Sequence, residues 1–171
     1  MFVEAVKLQS AKIRPPSFFR EAGEIAFIVE SDPLTIVQHI IDVEVIRNQN
    51  LGIEYDKDVS LKLIVGASYD CLSALNEPLK AKSILSLAAT IFGSDFVRYQ
   101  SAQITSFLVT NDGLVEEEAT PFLDFVDKAL PIGPDTNITD NNFKNDRLTA
   151  RQEYDLICQN RKRFKILVPE K

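Results

Sequence analysis

Three side chains in this sequence could carry bond-making chemistry: one histidine, His39, and two cysteines, Cys71 and Cys158. A thiol beside an imidazole becomes a nucleophile, so a Cys71–His39 or a Cys158–His39 pair would be the candidate dyad. Neither pair lies in a motif, and the fold alone could bring either together. GxSxG, P-loop, GxGxxG and HExxH patterns are all missing from the chain. One histidine and two isolated cysteines without CxxC are too few for a dedicated zinc site. They suit reduced thiols in a cytosol better than a disulfide framework. The expectation is a non-enzyme with no cofactor and no metal, in which His39, set among aliphatic residues, packs rather than reacts.

Charge points to partners rather than to chemistry. The net charge is −6, and residues 140–171 carry eight Lys/Arg against five Asp/Glu, which leaves −9 on residues 1–139. An acidic body disfavours nucleic acid, since phosphate binding needs a cationic surface, and it can steer a basic partner. Glu116, Glu117 and Glu118 read as a solvated loop or as part of an acidic partner-docking surface. The triplet Arg161-Lys162-Arg163 reads as a helix C-terminal cap or a contact for an acidic surface. No apolar run approaches a membrane span, and the opening MFVEAVKLQSAKIR has no apolar core after a basic segment. The sequence therefore predicts a cytoplasmic protein with no membrane insertion.

With 171 residues, 45% hydrophobic and 26% charged, one globular domain is the default. Alternation predicts strands over 2–13, 24–30, 35–47 and 58–68, closed by Pro15-Pro16, Asp32-Pro33 and the Gly52 turn. Short links between successive strands predict an antiparallel sheet. A crossover, 69–78, leads to the organising stretch Leu79–Val109. There Ile84, Leu87, Ala88 and Ile91, then Val97, Ser101, Ile104 and Leu108, recur at helical spacing. Gly93-Ser94 makes this either two helices or one bent helix, and Asn111-Asp112-Gly113 stops it. Thr120-Pro121 predicts the start of a short helix lined by Phe122, Phe125, Val126 and Ala129, and 147–160 a last helix. The predicted fold class is α+β: a four-stranded antiparallel sheet, a long helix, a shorter helix and a helical C-terminal extension. The predicted division is a domain over 1–134, then a linker and basic extension over 135–171.

That element order resembles the SecB family of export chaperones from Phe2 to Leu130. The local matches are Ile104-Thr105-Ser106-Phe107-Leu108, then Asp112-Gly113, then Ala119-Thr120-Pro121-Phe122-Leu123-Asp124-Phe125, with Cys71-Leu72-Ser73-Ala74-Leu75 at the crossover. The family's proline-aromatic-alanine-arginine run is replaced by Asp95-Phe96-Val97-Arg98. The resemblance implies ATP-independent binding of unfolded client polypeptides in apolar grooves, with Phe18, Phe19, Leu72, Leu75, Phe122 and Phe125 as groove candidates. It implies a homotetramer built as a dimer of dimers, with Ser94, Val97, Ser101, Ile104 and Thr105 at the oligomer interface, and an export motor as a partner. The alternatives are a SecB-like chaperone of a toxin–antitoxin pair and a structural or assembly protein of a phage or a secretion apparatus.

Overall fold

The computed structural model describes residues 18–111, 113–132 and 147–167, with side chains as far as Arg161. Seven helices follow one another among these residues: α1 (Ala22–Glu30), α2 (Pro33–Leu51), α3 (Lys57–Ser73), α4 (Pro78–Phe92), α5 (Ser94–Asn111), α6 (Glu116–Ala129) and α7 (Ala150–Leu167). No strand occurs among the described residues. The predicted sheet is thus overturned: 24–30 lies in α1, 35–47 in α2 and 58–68 in α3. The predicted strand 2–13 falls outside the described residues.

The reason lies in two periods that fit the same letters. Residues 35–47 alternate apolar and polar, but Ile36 and Val37, Ile40 and Ile41, Glu44, and Asn48 also recur at helical spacing. Ile36, Val37, Glu44 and Asn48 are the fully buried ones, and Ile40 and Ile41 pack against the same core. Helix ends decide between the two patterns. Asp32 caps α2, its carboxylate accepting from the Thr35 N–H at 2.7 Å, with Pro33 in the first position. Gly52, at φ 68°, closes the other end, and the Ile53 N–H reaches back to the Asn48 carbonyl at 3.0 Å. In α3, Leu61, Ile64, Val65 and Ser68 hold the same three- and four-residue spacing, and the helix is buried almost all round from Ser60 to Cys71.

α3 is the centre of the bundle. It packs most closely on α4 and also touches α1, α2, α5 and α6. Small residues allow the close approach to α4: Ser68 donates to the Ala81 carbonyl at 2.9 Å, and Ala81 and Ala88 are buried. Gly66 serves another neighbour, because a Cβ there would fall 2.3 Å from the Phe18 ring. The organising stretch resolves into two helices, α4 and α5, broken at Gly93 with φ 98°.

The short helix begins one turn before the expected cap. α6 starts at Glu116, so Pro121 lies inside it, and Glu116, Glu117 and Glu118 form its exposed first turn. Their carboxylates oppose the positive end of the helix dipole. α7 lies in the stretch assigned to the extension, yet it packs on α5 and α6 with Ala150 and Tyr154 buried. Asp127 of α6 caps α7, accepting from the Ala150 N–H at 2.7 Å and the Arg151 N–H at 3.2 Å.

Arg98 of α5 fastens this half of the molecule. It is fully buried. It donates to the Leu130 carbonyl at 3.0 Å, to the Leu148 carbonyl at 3.1 Å and to the Asp95 carboxylate. One side chain therefore ties the end of α6 to the approach to α7. Burial, and then the neighbouring Arg147, lower its pKa, but a guanidinium stays charged at neutral pH.

Candidate functional site

α1 packs on the core through Ile25, Phe27 and Ile28, and polar contacts hold both of its ends. At the N-terminal end the Asp70 carboxylate, buried in α3, accepts from the Phe18 N–H at 2.6 Å and the Phe19 N–H at 2.9 Å. At the C-terminal end Lys80 of α4 donates to the Ile28 and Val29 carbonyls, the orphan acceptors of a helix end. A half-enclosed cleft of about 380 Å³ is lined by α1, α2 and α3. That volume falls within the range of small-ligand and peptide pockets.

Ile28 of α1, Ile36 and Ile40 of α2 and Leu63 of α3 make its apolar wall, and Phe19 closes one end. The Phe27 and His39 rings face each other there, with centroids 4.5 Å apart. Glu21 and Glu24 stand exposed on the rim, and Gly23 beside them has open space where a side chain would project. The cleft runs into a second depression through Val43, which lines both; the second adds Ile46, Arg47, Asn50 and Leu51. Val43, Ile46 and Leu51 are 46%, 56% and 61% exposed. α2 thus carries a second apolar stripe that the described residues leave uncovered. A larger depression of about 530 Å³ between the start of α2 and α4 is shallower and has Asp32, Lys82, Ser83 and Ser86 in its lining.

The groove candidates do not come together. Phe19 is buried and lines the cleft. Phe18 turns the other way, against Gly66 and into a depression with Lys62, Gln103, Ile104 and Phe107. Leu72 and Leu75, at the end of α3, and Phe125 on α6 are half-buried against the core. Phe122 is a core residue whose ring meets Tyr69 edge-on at 5.3 Å. Of the interface candidates, Ser94 is half-buried at the start of α5, while Val97, Ser101, Ile104 and Thr105 are buried within a single chain. Their side of α5 is already covered by neighbouring helices of the same chain. Ser101 and Thr105 satisfy their hydroxyls on the carbonyls one turn back, at 2.7 and 2.8 Å.

Burial pushes the Cys71 thiol up to about 11, which keeps it protonated at neutral pH. Cys158 sits on α7, which packs on α5 and α6, whereas His39 faces Phe27 of α1. Among the described residues no three His, Cys, Asp or Glu side chains are grouped to hold a metal ion. No described helix is long and apolar enough to cross a membrane.

Sequence reasoning missed the cleft itself. A strand reading groups Val37, His39, Ile41, Val43 and Val45. The helix instead groups Ile36, His39, Ile40 and Val43, and sends Val37 into the core. The Asp32-Pro33 cap and Gly52 stop were the signal that could have revealed this. No protein-family model, curated protein or solved structure matches the chain.

Proposed function

We propose that this protein is a non-enzymatic, chaperone-like binding protein that takes up apolar segments of other polypeptides, without ATP, in the α1–α2–α3 cleft. One observation carries the reading. The cleft is apolar, open and continuous with Val43, Ile46 and Leu51, large side chains that the fold leaves in water. An uncovered apolar patch of this kind marks an interaction surface on a helical domain. The driving force is the transfer of apolar client surface out of water, about 25 cal/mol per Å² before ordering costs. Two free cysteines fit a cytoplasmic setting.

The test is aggregation of a client diluted from urea, followed by light scattering. Wild type slows the aggregation. Val43→Ser/Ile46→Ser slows it far less while unfolding at the same urea concentration. Equal protection by the two proteins, or none by either, contradicts the reading.

A further inference from the structure

The chemistry of the cleft's occupant can be read from the same walls, and this inference rests on the function proposed above. Apart from Phe19 and Glu21, which precede α1, the walls of the cleft are helical, and the described residues contain no strand and so offer no unpaired sheet edge. An extended peptide seated there would leave its backbone N–H and C=O groups without partners on the apolar wall. A helix satisfies its own backbone and brings side chains at i, i+3 or i+4, and i+7 to one face. The span is also helical in scale: α1, which forms one wall, is nine residues long, and the apolar strip continues past it along α2 to Leu51.

Charge selects among helices. Glu21 and Glu24 are exposed on the rim, and among the described residues no Lys or Arg lines the cleft. Arg20, beside the rim, is already engaged, and Arg47 of the second depression lies 3.5 Å from the carboxylate of Glu44, one turn before it on α2. Lys80, at the far end of α1, is occupied by the Ile28 and Val29 carbonyls. Lys62 lines the separate depression beside Phe18.

We propose that the cleft binds a cationic amphipathic helix, with its apolar face against Ile36, Ile40, Val43 and Leu63 and its Lys or Arg side chains toward Glu21 and Glu24.

The probe is a capped, labelled peptide of leucine and lysine at helical spacing, about fourteen residues or four turns long. Its binding to the full chain is read by fluorescence anisotropy. Two analogues accompany it: one with every lysine replaced by glutamate, one with a central proline that breaks the helix. The lysine peptide is expected to bind roughly tenfold more tightly than the glutamate analogue at low salt, with the gap closing as salt rises. The proline analogue binds weakly. Glu21→Gln/Glu24→Gln removes most of the charge discrimination. A Cβ at Gly23 meets nothing within 4 Å, so Gly23→Leu adds bulk to the cleft's lining without a clash, and it is expected to weaken binding while circular dichroism and the melting temperature are kept. Equal binding of the glutamate or proline analogue, or binding unaffected by Gly23→Leu, overturns the proposal. So does a dimer, seen by sedimentation, that Gly23→Leu dissociates, because the occupant is then a second copy. If no peptide binds but the full chain still protects an unfolded client through Val43 and Ile46, this inference fails and the broader function stands. If neither occurs, both fail.

Discussion

α2 and α5 are almost the same length, 19 and 18 residues, and they spend their side chains in opposite ways. α5 buries half of its residues, many of them polar or small: Arg98, Gln100, Ser101, Ala102, Thr105 and Ser106. Neighbours on several sides cover it; Arg98, Ser101 and Thr105 find partners inside, whereas the buried Gln100 Oε1 has none among the described residues. α2 buries only Ile36, Val37, Glu44 and Asn48, and leaves Leu34, Val43, Ile46 and Leu51 in water. α5 exposes Tyr99 and Phe107 as well, but only on α2 do the exposed apolar side chains run on from the cleft, and that is the surface proposed above for a partner.

Arg98→Ala is the harshest way to break that comparison. It strands the Leu130 and Leu148 carbonyls, leaves Asp95 paired with Arg147 and opens a cavity, so a loss of about 3–5 kcal/mol is expected in urea unfolding. A loss below about 1 kcal/mol would mean that Arg98 does not fasten α6 to α7. Gly66→Ala drives a methyl into the Phe18 ring and should cost roughly 1–3 kcal/mol. No measurable loss would show that Phe18 is free to leave α3.

Cys71 sharpens the same contrast through pH. Its thiol titrates near 9.0 when unfolded and at about 11 when folded, raised first by burial. The unfolded state therefore gives up its proton first. The stability linked to this thiol is complete below pH 9.0 and is lost as pH rises through 11. Against Cys71→Ala, wild type should show a steeper loss of stability across that window; parallel curves would refute a buried thiol. The smallest effect belongs to Val43→Ser and Ile46→Ser, each within about 0.5 kcal/mol of wild type, because both side chains are already exposed. A larger cost would place them in the core.

How much of this was legible can be seen at particular residues. Asp32-Pro33, Gly93-Ser94 and Asn111-Asp112-Gly113 were all read as breaks, and each marks a helix end. α4, α5 and α7 followed from their apolar spacing. α1, α2 and α3 did not, because β-branched residues in loose alternation satisfy a strand period and a helix period together. Asp32-Pro33 and Gly52 were taken as strand turns when their chemistry is that of a helix cap and a helix stop. The cleft was illegible for a further reason. Its walls come from separate helices, and the polar anchors beside α1, Asp70 and Lys80, are each about fifty residues away in sequence. No local pattern reports such a contact. The SecB resemblance rested on a strand order that the helices replace, so the chaperone-like reading now stands on the cleft alone.

Hydrogen exchange of the full chain, with and without an apolar client peptide, tests the central claim most directly. Bound peptide is expected to slow exchange in α1 and the first half of α2, from Glu21 to Ile46, while α6 and α7 exchange as before. Protection confined to α6, around Phe122 and Phe125, or no protection anywhere, would contradict the account.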